Sequence, residues 1–336
     1  MKIIVDTMGS DKGCAEIVSG SLDAVREYNI ELILVGDETL ISPIVEASGL
    51  ADKVEIVSAP EYVSMEDDPT SVRSAKKNSS MVNAMKLIKQ GKGDAVVTAG
   101  NTGAAITAAT LYVGRVRGVR RAAIGTILPL GGGAILMDSG ANVECTPEYL
   151  LQFGYMGSIY ARSVLKIDSP RVGLLNVGSE DTKGDETHLA AHGLLRKASD
   201  EGGINFVGNV EARYIPNSVA DVIVADGFSG NVMLKSMEGI GMFFAAQLKE
   251  KLKSNLITKI GALLVKKRIY ELKKLLDYKE VGGSPLVGIS APVIKAHGSS
   301  NAYSFKNAIR QAIRYAEGNV IADIEANISS MKVTEQ

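Results

Sequence analysis

The chain has 336 residues, 46% of them hydrophobic, with 37 Lys+Arg against 38 Asp+Glu and no Trp. That length supports a large core or two linked subdomains, and a formal charge of -1 leaves no global field to draw the molecule to nucleic acid. Two cysteines, Cys14 and Cys145, lie far apart without a C-x-x-C, which argues against a disulfide framework or a zinc site and fits a reducing cytoplasm.

MKIIVDTMGS reads as a first strand rather than as a charged segment followed by an apolar core and a cleavage site, so no export signal is expected. Short β-branched runs then alternate with stretches of helical period. KIIVD precedes 15–29, ELILVG precedes 38–48, and KVEIVSA precedes 72–90. DAVVTAG precedes 102–116, RVGLLNV precedes 183–199, and ADVIVAD precedes a helix from 230 onward. The alternation predicts a mostly parallel sheet covered on both faces by helices.

Residues 95–114 carry no charge over a length that would span a bilayer, but Gly, Ala, Thr and Asn dominate and GNTG interrupts them. A buried strand, turn and helix are expected there. AAIGTILPLGGGAILMD reads as two strands joined through Gly131, Gly132 and Gly133, because no Lys-Ser/Thr follows the glycines as a phosphate loop requires. Thr146-Pro147-Glu148 supplies a capping hydroxyl and a first-turn proline for a helix to about 165, with Tyr149, Leu150, Phe153, Met156, Gly157 and Tyr160 facing the core or another subunit.

Residues 249–280 hold ten Lys or Arg against four acids, with the apolar run 260–265 among them. A protruding basic amphipathic hairpin over 237–280 would lie on an anionic membrane surface. A solvated helix with an ordinary core stripe, or a surface for an acidic protein, accounts for the same charges.

Five strand ends lead into small-residue turns bearing Asn, Asp or Ser: 6–11, 99–105, 138–142, 226–231 and 296–300. In an open α/β sheet such carboxyl ends form the ligand crevice. DGFSGNVMLK offers backbone N–H groups and the positive end of a helix to an anion, and Lys235 lies one turn in, where it can reach back as a point charge.

TAGNTGAAITAATLYVGRVRGVRRAAIGTILP, DSGANVECTPEYLLQFGYMGSIYA, GLLNVGSEDTKGDE, INFVGNVEAR, ADVIVADGFSGNVMLKSMEG and AHGSSNA follow in order across nearly the whole chain. Together they resemble the phosphate acyltransferase family of bacterial phospholipid synthesis. The resemblance implies an α/β fold, three-layer α/β/α, similar to phosphotransacetylase and the isocitrate dehydrogenase type, forming one catalytic unit of two lobes. It implies acyl transfer from an acyl-carrier-protein thioester to inorganic phosphate without a cofactor, and a homodimer. It also implies a cytoplasmic enzyme loosely held on the inner face of the membrane, passing acyl phosphate to a membrane acyltransferase. One departure is Ser10, which replaces the second glycine of the family's D-x-M-G-G-D, where a positive φ would be strained.

Phosphate is already an anion near neutral pH, and a thiol of pKa about 8.5 leaves readily as thiolate, so this reaction needs neither a strong base nor a full acid. The work falls on positioning, dehydration and oxyanion stabilisation. Phosphate is therefore expected between Asn231 and Lys235, with His297, Ser299 and Ser300 closing the opposite side. Asn101, Thr102, Gly103 and Asn142 are expected to face the thioester carbonyl. Asp6, Gly9, Asp138, Asp226 and Gly230 are assigned to the binding turns, with turn amides as the alternative partners of the three aspartates.

Arg73, Lys76 and Lys77 are expected to contact phosphate or the carrier protein, or to be solvated surface. His188 and His192, four apart on a helix, lack the H-E-x-x-H pattern and an evident third ligand, so no metal is expected. Cys145 reads as a small buried residue, with an acyl-cysteine intermediate as the alternative. The competing functions are a nicotinamide-dependent dehydrogenase of similar fold, for which no G-x-G-x-x-G is present, and a noncatalytic membrane-surface scaffold, which leaves the five turns unexplained.

Overall fold

A computed structural model describes residues 1–128, 133–276 and 278–332. In chain order the strands are β1 (Lys2–Asp6), β2 (Glu31–Gly36), β3 (Val54–Ser58), β4 (Ala95–Thr98), β5 (Ala123–Ile124), β6 (Thr126–Ile127), β7 (Ile135–Met137), β8 (Arg171–Leu175), β9 (Asn205–Val210), β10 (Val222–Val224), β11 (Gly283–Val287) and β12 (Val293–Ala296). The helices are α1 (Cys14–Tyr28), α2 (Glu38–Ser48), α3 (Ser80–Lys89), α4 (Thr102–Ala108), α5 (Pro147–Ser163), α6 (Glu186–Asp200), α7 (Gly227–Leu252), α8 (Leu256–Leu276), α9 (Ala302–Glu317) and α10 (Val320–Asn327).

The strands form two mostly parallel sheets with helices on both sides, ordered β3-β2-β1-β4-β12-β11-β5 and β6-β7-β10-β8-β9. Ile3, Ile4 and Val5 of β1 are all fully buried, the continuous apolar run that a parallel strand covered on both faces requires. The chain passes from the first sheet to the second at Gly125, between β5 and β6. A side chain there would strike Met137, so glycine permits the close crossing. β12, from the far end of the sequence, inserts between β4 and β11. A single apolar cluster unites Ile3, Val97 and Ile294 of the first sheet with Val172, Val224 and Met137 of the second.

The uncharged stretch folds as β4, a turn and α4, and among the described residues no helix is long and apolar enough to cross a membrane. The helix of 102–116 ends with a wider turn over Ala109–Val113 and then Gly114 at φ 93. α5 starts at Pro147 with the Thr146 hydroxyl accepting from the Tyr149 N–H. It buries Leu150, Phe153, Met156 and Tyr160 in the core. β6 and β7 pair antiparallel as a hairpin requires, while Gly131 and Gly132 of the expected connection lie outside the described residues.

Three helix starts differ from the periodicity, each because a capping side chain fixes it. The helix expected over 72–90 begins only at Ser80, where the Ser79 hydroxyl accepts from the Val82 N–H. α6 begins at Glu186 behind Asp185. α7 begins at Gly227, because Asp226 accepts from the Ser229 N–H, and it then runs unbroken past 237 to Leu252. α7 is buried only near its start, at Gly227, Gly230, Met233 and Leu234. Beyond that, Ile240, Phe243 and Phe244 of α7 and Ile257, Ile260 and Leu264 of α8 are exposed.

Candidate active site

The carboxyl ends of the strands do bring the polar turns together. The turn after β1 meets the one after β12: Asp11 N–H and the Ser10 hydroxyl both donate to the Gly298 carbonyl, at 3.0 and 3.2 Å. Gly9 carries the positive φ of this loop, 74°, and Ser10 is not among the residues of positive φ, so serine replaces the family's glycine without strain. In the second sheet the turn after β7 meets the start of α7, with the Gly227 N–H donating to the Asn142 carbonyl at 2.7 Å. A Cβ on Gly230 would sit 2.0 Å from the Asp138 carbonyl oxygen, which explains a glycine one turn into α7. Asn231 lies next to it, against Gly140.

Between the two sets of turns lies a cavity of about 470 Å³, lined among others by Thr102, Asn231, Lys235, His297 and Lys295. Lys235 Nζ stands 3.4 Å from His297 Nε2 and 2.7 Å from Glu238 Oε2. His297 Nδ1 accepts from the Ser299 N–H at 3.2 Å, which leaves the proton of the neutral ring on Nε2, facing Lys235. Burial first, then the Lys235 ammonium, holds the imidazole below its usual pKa. Both groups thus present N–H to the same region, the arrangement that an anion satisfies.

Several expected site residues are committed elsewhere. Asn101 caps α4 through Oδ1, accepting from the Ala104 N–H at 3.0 Å, while its amide donates to the carbonyls of Met65 and Asp67. Both ends of that side chain are used in holding the turn, so Asn101 is not a donor facing the carbonyl. Gly103 packs on Pro69 rather than lining the cavity. The Asn142 amide donates to Ala122 O and to Asp138 Oδ2 at 2.8 and 2.9 Å, again within the turn. Ser300 is buried, its hydroxyl near that of Ser304, and does not close the cavity; Ser299 stays on the His297 ring. Asn231 is not the helix start: Asp226 caps α7, its carboxylate takes the Ser229 N–H, and the Gly227 N–H goes to the Asn142 carbonyl, so two of the amides that were expected to meet phosphate are already used.

The strand-end aspartates likewise tie their turns to one another and to neighbouring elements. Asp138, fully buried, accepts from the N–H groups of Ile124, Gly140, Ala141 and Asn142. Asp6 accepts from the hydroxyls of Ser80 and Thr98, each at 2.7 Å. Burial pushes both carboxyls above their ordinary range, against the pull of those donors.

Cys145 Sγ is 3.5 Å from the Asn142 carbonyl, and its thiol is pushed up to about 12, first by burial and then by Asp138. A nucleophilic thiolate is disfavoured there. His188 Nδ1 is 2.7 Å from Asp185 Oδ1, whereas His192 Nε2 is 3.1 Å from Asp181 Oδ1. Among the described residues no cluster of three or more His, Cys, Asp or Glu could hold a metal ion. The residues that sequence reasoning missed are Lys295 and Glu238, together with the hydroxyls of Thr126 and Ser284, while Asp11 and Ser139 lay in the expected turns without being assigned to the site. The available signal was a lysine inside the otherwise apolar strand VIKA.

A second, largely apolar groove of about 1090 Å³ runs along the opposite side of α7, between Phe228, Val232, Ile240 and Phe244 of that helix and Leu175 and Pro216.

Residues 1–323 match the family described as "Fatty acid synthesis protein". The phosphate acyltransferase of Oceanobacillus iheyensis is 46% identical over 338 residues, covering 100% of both chains. That of Alkaliphilus oremlandii is 44% identical over 333 residues, covering 98% of each. In three dimensions the chain is similar to a phosphotransacetylase from Streptococcus pyogenes, with a TM-score of 0.64 at 18% identity and 94% of each chain covered. A 4-hydroxythreonine-4-phosphate dehydrogenase from Klebsiella pneumoniae shares the architecture at a TM-score of 0.55 and 12% identity, covering 94% of this chain and 98% of that one. The dehydrogenase likeness is one of fold alone, whereas sequence identity runs the full length of the acyltransferases. By that identity the chain is a transferase and belongs to the phosphate acyltransferase family.

Proposed function

We propose that the cavity between the two sheets transfers a fatty acyl group from acyl-carrier-protein thioester to inorganic phosphate, supplying acyl phosphate for phospholipid synthesis. The observation that carries this reading is the convergence of Lys235 Nζ and His297 Nε2, 3.4 Å apart, on the wall of a polar cavity that no cysteine lines, Cys145 being poorly ionised beside the Asp138 turn. A site that holds an anion and lacks an activated side-chain nucleophile suits direct attack by the anion.

Lys235 and His297 orient one phosphate face. A phosphate oxygen forms the C–O bond to the acyl carbon, and the C–S electron pair leaves on the phosphopantetheine sulfur. The proton lost from phosphate ends on that thiolate, so the step balances without a cofactor. Asn231, against Gly140, is the side-chain donor that supports the carbonyl oxyanion, with the Thr102 hydroxyl on the other wall. The exposed apolar and basic face of α7 and α8 supports contact with an anionic membrane surface, where acyl phosphate would be handed to a membrane acyltransferase. A homodimer is the assembly assumed.

Purified protein incubated with acyl-carrier-protein thioester, with and without phosphate, and quenched with hydroxylamine tests the reading. Acyl hydroxamate above the background that hydroxylamine gives with the thioester alone is expected only when phosphate is present. Its formation at equal rates in both reactions, or no formation in either, rejects the reaction.

A further inference from the structure

Lys295 occupies a position where a charge is costly. Across four adjacent strands the register sets Asp6 against Thr98, Thr98 against Lys295, and Lys295 against Ser284. Directly opposed residues project from the same face of a sheet, so these side chains form one polar row. The row is hydrogen-bonded at both ends. Thr98 donates to Asp6 Oδ2 at 2.7 Å, and the Ser284 hydroxyl lies 2.9 Å from that of Thr126 in the second sheet, itself 2.6 Å from that of Ser139 in the turn after β7. Lys295 is the cation in the middle, only 8% exposed, and it lines the 470 Å³ cavity together with Lys235 and His297.

An ammonium has three N–H donors. One of those on Lys295 goes to the Ala296 carbonyl, and among the described residues no carboxylate comes within ion-pairing distance of Nζ. Asp11 and Asp6 act on it only through space, opposed by Lys235, while burial dominates and pushes the amine down to about 8. A buried charge is tolerated when it is paired or hydrogen-bonded, so a lysine held this way against a cavity is poised for a mobile anion.

We propose that Lys295 is the phosphate-binding cation at the floor of the cavity, clamping inorganic phosphate against Lys235 at the mouth. The proposal rests on the acyl-transfer reading for its substrate. Lys295 stays charged through the reaction and transfers no proton; it draws phosphate out of water and aims it at the acyl carbon.

The test is calorimetric titration with inorganic phosphate, and the phosphate-induced rise in Tm, for the wild type, Lys295→Met and Lys295→Arg, alongside the hydroxamate assay. Lys295→Met is expected to weaken phosphate binding and raise the phosphate KM by about 10- to 100-fold, the size of a lost charge-assisted hydrogen bond. The thioester KM and the phosphate-free Tm should be held, because a buried charge is replaced by an apolar chain of similar length. Lys295→Arg should recover part of the affinity. Lys295→Gln, which keeps a donor for the Ala296 carbonyl, carries the same decision if the methionine protein does not fold. Phosphate affinity equal to wild type in either neutral variant, or a wild type that binds no phosphate, overturns the proposal. Phosphate binding that depends on Lys295 in a protein that forms no hydroxamate instead rejects the acyl-transfer reading and leaves the anion site standing.

Discussion

Two sets of charges meet at the strand ends, and the fold treats them in opposite ways. Asp6, Asp138 and Asp226 are met by hydroxyls and amides of their own turns and of neighbouring elements, as Ser80 and Thr98 on Asp6 and the six contacts to Asp138 from Ile124, Gly140, Ala141 and Asn142 illustrate. Lys235 and Lys295 are held on the cavity wall, one bonded to the largely buried Glu238 and the other to a single backbone carbonyl. Those three carboxylates build the turns, whereas Lys235 and Lys295 line the cavity, with Asp11 and Glu238 beside them. Negative charge consumed locally and positive charge held toward the cavity is the polarity an anionic nucleophile needs.

Removing a wall should have the largest effect. Asp138→Ala strips the acceptors from several buried N–H groups at once, at a cost of about 1–3 kcal/mol for each group left unsatisfied. The expected outcome is a fall of roughly 3 kcal/mol or more in unfolding free energy by urea titration, with activity lost because the protein unfolds. A well-folded Asp138→Ala protein with its phosphate affinity destroyed would reverse the comparison and make Asp138 part of the phosphate site. Lys235→Met comes next. Because Lys235 is half exposed, at 51%, the Tm should barely move while the phosphate KM rises by about tenfold or more. An unchanged phosphate dependence would remove Lys235 from the clamp.

The pH dependence sharpens the contrast between the two lysines. Burial has pushed Lys295 down to about 8, so the folded protein releases that proton more easily than a free lysine does. The ammonium is present below that value and lost as pH rises through it, so the phosphate KM should rise by up to about tenfold per pH unit above the transition. The groups acting on it are Asp6 on β1, Asp11 in the following loop, Lys235 on α7 and the adjacent His297. His297, held below its usual pKa, titrates on the acid side and outside this window. Phosphate is mostly dianionic above about pH 7.5, so its own titration does not supply the effect. Lys295→Arg should flatten the profile, and an identical rise in both proteins would assign it to another group.

The turns were legible in the sequence because each is written in residues with local jobs: Asn101 and Asp226 cap the helices that follow them, and Gly9 and Gly230 sit where a side chain cannot. The same locality misled the reading of roles. Nothing in AGNTG distinguishes an asparagine that faces a substrate from one that bonds to Met65 and Asp67, more than thirty residues earlier in the chain. Lys295 was missed because its meaning comes from β12 inserting between β4 and β11, a pairing of distant segments that no periodicity encodes. Asn101→Ala accordingly separates cap from catalyst. It should lower stability by about 1 kcal/mol, as a lost N-cap does, and leave the phosphate KM intact. Asn231→Ala should lower kcat with the Tm unchanged.

The smallest effect is expected at Cys145, and its smallness is informative. The residue follows the Asp138 turn, near the same carboxylate that the turn amides surround, and that charge adds to burial in pushing the thiol up to about 12. At neutral pH the thiolate fraction is then on the order of 10⁻⁵, against a few per cent for an ordinary cysteine. An acyl-enzyme route through Cys145 would have to recover that deficit before any chemistry, whereas phosphate reaches the cavity already ionised. Cys145→Ala should therefore retain kcat and both KM values within about twofold, with at most a small loss of Tm from the missing sulfur. A thioester-linked acyl group trapped on Cys145 by rapid acid quench, together with an inactive alanine variant, would replace direct attack by a two-step route and move the reacting carbon from the lysine side of the cavity to the aspartate side.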